Sequence, residues 1–472
     1  MNSIKKITYF IVISGSIYSC KVQKYEQPDL SLPETFRNDT IHKENQTNIA
    51  KINYRDFFKD PILVGLIDKA MIQNNDLQVA LKQIDIASLA YNQTKWANVP
   101  TVSATIANAS INRPSDNSMN GMMAGQFMGQ KYTEDYTTSI NISWEADIWG
   151  KIKGRKEQAL VDYLKTQEAS NAIKTQLVAT VVQGYYNLLM LDKQLEITKQ
   201  NLTYSENTLA FLQKQQEVGL TTALAVQQQE IVKDQLIKSI PAIESLIATQ
   251  ENALNILCGE MPDKIERNTS LDEVELPENL SSGIPTELLS YRPDIKSAEL
   301  DVRKSISAIN VAQANLYPTF NITAQGGLNT FKASNWFNIP GSLFGSVAGA
   351  LAQPILNGKQ LKTQLEQSKI MAEQAEINFK QSVLKAVGEV SDALVQIEKL
   401  EEQQNIAENL VVKSNEATNK ADILFRYNSA TYLEVILAQT NKLQAELDLA
   451  TLKTQKLNAI TNLYRSVGGG WQ

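Results

Sequence analysis

Histidine and cysteine, the side chains best suited to metal binding and nucleophilic catalysis, are scarce in this 472-residue sequence. There is one histidine, His42, and there are two cysteines, Cys20 and Cys258. That set cannot supply a zinc site of several Cys and His, a disulfide framework, or most histidine-based catalysis. Gly-rich phosphate loops are absent. An enzyme would have to work with carboxylates alone, so the sequence argues against catalysis and against a cofactor. The formal charge of −6 gives no case for a nucleic-acid partner. One group of soft ligands stands out: Met119, Met122, Met123 and Met128 in the stretch 112–136. Thioethers can hold Cu(I), but the simpler reading, a mobile extracellular loop, is preferred. Cys258, just before Gly259 at a helix end, reads as a small buried side chain rather than a reactive thiol.

The N-terminus carries a different chemistry. "MNSIKKITYFIVISGSIYSC" has Lys5 and Lys6, an apolar run from Ile7 to Tyr18, then Ser19-Cys20. A spanning helix needs about 20 apolar residues, and this run is shorter. Residues 1–19 read as a secretory signal. A small residue directly before cysteine also resembles the bacterial lipoprotein processing site. That resemblance implies cleavage before Cys20 and acylation of its thiol, although Ile17 and Tyr18 depart from the usual residues there. Residues 20–60 would then be a lipid-anchored extended segment. No later stretch is long and apolar enough for a transmembrane helix, so a membrane-spanning role requires a β-barrel.

What positions these residues is a tandem repeat. "NNDLQVALKQIDIASLAYNQTKWANVPTVSATIAN" lies over "RPDIKSAELDVRKSISAINVAQANLYPTFNITAQ". Pro100 follows Asp76 by 24 residues, and Pro318 follows Asp294 by 24. Gly150 matches Gly358. Val226 precedes Gly259 by 33 residues, as Val435 precedes Gly468. Self-similarity on this scale marks a duplicated structural unit. The repeats span 61–259 and 285–472, joined by a linker at 260–284. Each unit reads helix, proline, alternating strand, loop, alternating strand, long helix, short turn, long helix. The strands are expected near 101–112 and 136–147, then near 319–329 and 345–355. About ten alternating residues is what a tilted strand needs to cross a bilayer.

Long helices are expected at 151–218, 221–258, 359–426 and onward to 465. The first would measure about 100 Å at ~1.5 Å per residue. In 359–426 a stripe runs through Leu361, Leu365, Ser368, Ala372, Ala375, Phe379, Val383, Ala386, Val390, Ala393, Ile397 and Leu400 in steps of 3 and 4. That is a coiled-coil seam with one stutter at Phe379–Val383. Pro241 is expected to kink 221–258. Four strands cannot close a barrel, but three copies give twelve, which can.

Five segments carry a family resemblance: "RPDIKSAE" (292–299), "ANLYPTF" (314–320), "AQPILNGKQL" (352–361), "YLEVILAQTNKLQAELDLA" (432–450) and "LYRSVGGGW" (463–471). In this order, with the duplication and the signal, the chain resembles the outer-membrane efflux proteins, in particular their lipoprotein branch. The resemblance implies a mixed α+β membrane protein. Its fold would be a trimeric, twelve-stranded barrel, four strands per protomer, continuous with a coiled-coil periplasmic tunnel. The homotrimer would sit in the outer-membrane lipid and work with a periplasmic adaptor and an inner-membrane pump such as an RND transporter. Drugs or other small molecules would be exported. A duct for protein secretion and a lipid-tethered coiled-coil scaffold are the alternatives. The resemblance also places the functional residues at the helix-pair turns. Gly219, Leu220, Thr221 and Thr222 in one, and Asn428, Ser429, Ala430 and Thr431 in the other, are expected to meet the adaptor. Leu437 matches a position where relatives often carry a pore-ringing aspartate. Glu434 is the nearest acid and the candidate for that ring, with Arg426 and Tyr427 as candidate gate contacts.

Overall fold

The computed structural model describes residues 25–28, 30, 32–33, 35–37, 49–275, 283–427 and 429–471. The signal, Cys20, His42 and Asn428 lie outside them. The chain divides into two compact units. One comprises Met1–Pro28, Asp85–Leu164 and Leu300–Ile377; the other comprises Asp29–Ile84, Lys165–Glu299 and Asn378–Gln472.

The main elements run α1 (Pro61–Gln73), α2 (Asn75–Thr94), β1 (Thr101–Asn112), α3 (Met119–Met128), β2 (Thr133–Ala146), α4 (Lys151–Glu217) and α5 (Ala223–Leu257). The second repeat continues with α6 (Pro293–Ala314), β3 (Thr319–Thr330), β4 (Leu343–Ala352), α7 (Gln360–Arg426) and α8 (Tyr432–Ser466). The long helices keep the duplication to the residue. α4 and α7 are each 67 residues long, and α5 and α8 are each 35.

The helix ends repeat as well. Gly259 and Gly468 both adopt positive φ after the last helix of their unit. A Cβ on Gly259 would lie 2.4 Å from the Gln73 carbonyl, and one on Gly468 would lie 2.6 Å from that of Tyr291. Only glycine combines that φ with that approach. The C-terminal Gly-rich run is therefore a packing feature of the fold.

In the strand-bearing unit, β1–β2–β3–β4 form one antiparallel sheet in that order, with β1 and β4 at its edges. Both β1 and β3 start at the residue after a proline, as the repeat predicts. The register crosses the sheet in alternating rows. Val102 pairs with Ile142, Ile142 with Ala324 and Ala324 with Val347. The adjacent row is Ser103, Asn141, Gln325 and Ser346. One face is thus apolar and the other polar. The polar face is internally hydrogen-bonded: the Gln325 amide donates to Ser139 Oγ (3.1 Å), and that of Asn329 donates to Asp135 Oδ1 (2.6 Å).

Three expectations are corrected. β2 begins at Thr133 rather than 136, because β1 runs to Asn112 and pairs with it. β4 spans Leu343–Ala352 rather than 345–355. Its last partner is Thr319, beside Pro318, and Pro354 has no N–H to extend the ladder. The segment holding the methionines contains a helix, α3. Ser118 Oγ caps it by accepting the Gly121 N–H at 3.1 Å, and Gly129 ends it in the left-handed region.

The helical unit is held by a buried aromatic and ionic core. Phe57 stacks on Tyr464 at 4.4 Å, and the Tyr464 hydroxyl donates to the Ile52 carbonyl (2.7 Å). Tyr185 donates to Asp60 Oδ2 (2.7 Å), while Asp60 Oδ1 caps α1. Burial pushes the Tyr185 and Tyr186 phenols up and keeps them neutral. Cys258 is buried, donates to the Leu66 carbonyl at 3.4 Å, and has its thiol pushed up to about 11, which keeps it unreactive. Pro241 lies inside α5 without ending it. The carbonyl its missing N–H would have met belongs to half-exposed Ile237, where water can serve.

The α7 seam is present. Ser368, Ala372, Phe379, Val383, Ala386, Val390, Ala393, Ile397 and Leu400 are buried, with Leu361, Leu365 and Ala375 partly so. It continues in the same steps through Ala407 and Ser414 to Phe425.

Candidate functional site: the two helix-pair turns

Both expected turns lie in the helical unit, each five residues long, at 218–222 and 427–431. In the first, Gly219 is left-handed (φ 72°). Its N–H donates to the Gln216 carbonyl (3.0 Å), and the Leu220 N–H reaches back to Gln215 (2.8 Å). This is the six-to-one closure of a helix C-terminus. Thr222 then caps α5, its Oγ1 accepting the Ala225 N–H at 3.3 Å. Thr221 sits between these two devices, partly buried. In the second turn the Ser429 N–H donates to the Leu424 carbonyl (2.8 Å), the same six-to-one pattern. The turns are alike although one has glycine and the other does not.

A shared hydrophobic core ties the turns together. Leu209, Leu212, Ala225, Val226, Phe425 and Val435 are buried against one another. Phe211, Ala421, Ala430 and Tyr432 pack around them. Ala430, one of the expected contact residues, therefore faces inward in part. Arg426 holds Asp422 Oδ2 (2.9 Å) on its own helix and lies over the Phe211 ring of α4 at 5.6 Å. The contact with the ring face joins α7 to α4. Tyr427 is 79% exposed.

Glu434, the candidate for the pore ring, is exposed and takes part in a helix start. It is the third helical residue of α8, and its carboxylate accepts the Thr431 N–H (2.6 Å) and hydroxyl (3.2 Å). That is a capping box. Its first task is to start α8. Leu437 is exposed one turn further on, and Val218, Leu220, Leu224 and Leu433 add exposed apolar surface around the turns.

Sequence reasoning missed the polar seam of α4. Thr198, Asn201, Ser205, Thr208 and Gln215 are all buried, and Leu212 fits the same steps of 3 and 4. Three of them, Asn201, Ser205 and Thr208, meet partners from α5 and α8. Gln229 donates to Ser205 Oγ (2.8 Å), Gln439 to Thr208 Oγ1 (2.9 Å) and Asn201 to Glu446 Oε2 (3.2 Å). Tyr432 adds a bond to Gln228 Oε1 at 2.7 Å. The signal was available as seam spacing, but a search for apolar stripes passes over it. Buried side-chain hydrogen bonds specify one register.

A duplicated chain with a bilayer-length amphipathic sheet and two helical hairpins meeting at paired turns defines a channel-forming export protein of an outer membrane. The family model for outer membrane efflux proteins matches residues 66–260 and 284–469, and the chain belongs to that family. It is 27% identical over 456 residues to the cation efflux system protein CusC of Escherichia coli O6:H1, covering 95% of each chain. It is 26% identical over 474 residues to the probable outer membrane lipoprotein SilC of Salmonella typhimurium, covering 98% of each. A crystal structure of CusC, described in terms of folding and transmembrane channel formation, aligns with a TM-score of 0.81 at 25% identity. That alignment covers 95% of this chain and all of the other. The protein is thus an outer-membrane efflux component with the duplicated strand-and-helix fold of that family. These likenesses support efflux rather than a protein-secretion duct or a scaffold.

Proposed function

We propose that three copies of this chain close one barrel and one helical duct, through which small molecules or ions leave the cell. One observation carries this reading: a four-stranded sheet, apolar on one face, ends in two open edges. Such a sheet is intolerable in lipid unless copies close it. The turns at 218–222 and 427–431 meet a periplasmic adaptor coupled to an inner-membrane pump such as an RND transporter. Exposed Leu220 and Thr222 of the first turn, with Ser429, Thr431 and Tyr427 of the second, offer that contact. Asn428 corresponds to Gly219 by sequence position in the two repeats. Arg426, Tyr427 and Glu434 hold the resting duct shut, and the polar α4 seam lets it open by exchanging hydrogen bonds.

The purified protein should run as heat-resistant trimers and give stepwise single-channel conductance in planar bilayers. A monomeric, non-conducting rod would defeat the reading. Replacing Arg426, Tyr427 and Glu434 with Ala should raise resting conductance several-fold. Leu437→Asp should create an acidic ring and strengthen cation selectivity. Unchanged conductance in all of these would place the gate elsewhere.

The N-terminus is a lipid anchor in the same reading. Mass spectrometry of the mature protein should find Cys20 acylated at the new terminus. An unmodified peptide spanning Ser19 and Cys20 would sink the anchor.

A further inference from the structure

The connection between β3 and β4 is more than an extracellular loop. Residues 331–342 are internally tied. The Ser342 hydroxyl donates to the Asn335 carbonyl at 2.6 Å, the Ser342 N–H to that of Asn338 at 2.8 Å, and the Asn338 N–H to that of Asn335 at 3.0 Å. This scaffold presents a stack of rings. Trp336 lies against Tyr136 with centroids 5.3 Å apart, and Phe337 lies against Trp336 at 5.4 Å. Phe337 is 71% exposed.

The side of the sheet on which this stack sits decides its meaning. Tyr136 pairs with Thr330, and by strand alternation it shares its face with Ile140, Ile142 and Trp144. That is the apolar face. The rings therefore extend the lipid-facing surface rather than the polar one. Tyr136 and Trp144 are eight residues apart on β2, about 26 Å along the strand at ~3.3 Å per residue, or roughly 20 Å of height at the ~40° tilt of a barrel strand. Transmembrane barrels carry an apolar band about 25 Å tall, flanked by aromatic girdles at both water interfaces. Trp144 has the usual interfacial arrangement, its indole donating to the Asn98 carbonyl at 2.9 Å.

We propose that the β3–β4 connection is a membrane anchor: Trp336 and Phe337, stacked on Tyr136, insert at the boundary between headgroups and acyl chains of the outer leaflet. The occupant of this surface is lipid. The proposal rests on the reading of the sheet as a membrane barrel. It adds the depth at which the sheet is held and the residues that hold it. With Trp144 marking the opposite boundary, the pair of girdles fixes the axial position of each protomer's strands.

Spin labelling of the full-length protein in lipid vesicles tests this. Nitroxides are placed singly at Phe337→Cys, at Ile140→Cys on the apolar face and at Gln325→Cys on the polar face. Collision with oxygen and with a water-soluble nickel chelate is then measured. The Phe337 label should favour oxygen several-fold over the Gln325 label, at a shallower depth than Ile140. Brominated lipids should quench a Phe337→Trp variant more strongly when bromine lies near the headgroup than near the chain end, which gives a readout without the label. Nickel access at Phe337 equal to that at Gln325 would overturn the anchor in favour of an aqueous loop. A Phe337 label shielded from both reagents would overturn it in favour of burial against a neighbouring copy. An aqueous Ile140 label would instead defeat the barrel placement itself.

Discussion

Cysteines placed singly on β1 near Thr101 and on β4 near Ala352, combined in one chain and oxidised in the membrane, are expected to yield a covalent trimer and no stable monomer band. The reasoning is energetic. β1 has β2 on one side and nothing on the other, and β4 has only β3. In an antiparallel ladder about half the backbone groups of an edge strand point outward. With 12 residues in β1 and 10 in β4, roughly twenty N–H and C=O groups face outward on the two edges. Each costs several kcal/mol when left unpaired in hydrocarbon, so an open sheet there is disfavoured by tens of kcal/mol. Pairing β1 of one copy with β4 of the next removes the penalty. A threefold operation closes the ring. The register is tested by moving the cysteines in pairs along both strands, and only positions on one diagonal should cross-link well. Cross-linking that stops at dimers, or a folded monomer with intact β signal in detergent, would refute the threefold barrel.

Much of this architecture is legible in the sequence because it rests on local rules. Pro100 and Pro318 hold the preceding residue in extended backbone at the change from helix to strand. Strand alternation and seam spacing are fixed by backbone geometry, so Val102 to Ile111 and Leu361 to Leu400 announce themselves. Gly150 and Gly358 match in sequence and both take positive φ in the structure. What the sequence hides is partnership over distance. The resemblance offers Glu434 for a pore ring; it does not show that the carboxylate also binds Thr431 three residues away, a bond that only the start of α8 creates. The α4 polar seam looks like solvated surface until Gln229, Gln439 and Glu446 arrive from other helices. The aromatic stack on Tyr136 depends on how a twelve-residue connection folds back, and periodicity is silent there. The methionines of α3 show the converse: composition suggests a loop, while a serine cap and a glycine stop make a helix.

Arg292→Ala should destabilise the helical unit by about 2–4 kcal/mol, read as a lower denaturant midpoint with an unchanged slope. Arg292 opens the "RPD" segment, and only 7% of its side chain is exposed. Its guanidinium reaches three groups: both Asp294 oxygens (2.9 and 2.6 Å), Glu389 Oε2 (2.8 Å) and the Ser466 carbonyl at the end of α8 (3.0 Å). Asp294 and Glu389 are each more than a third exposed and can rehydrate, so their loss is discounted. The larger cost falls on the cavity and on the Ser466 carbonyl, which is left buried without that donor. Arg292→Lys should recover less than half of the loss, since a point charge cannot serve three partners in one fork. A pH arm separates this ion cluster from simple packing. Burial pushes the Asp294 carboxyl up, but Arg292 outweighs it and holds the carboxyl below its ordinary value. That contribution is present in full above the unfolded carboxylate range, near pH 4, and is lost as pH falls through the lower folded value. The wild-type chain should therefore lose stability on acidification below about pH 4 more steeply than Arg292→Ala. Parallel acid profiles for the two proteins would show that Arg292 acts by its volume and not by its charge.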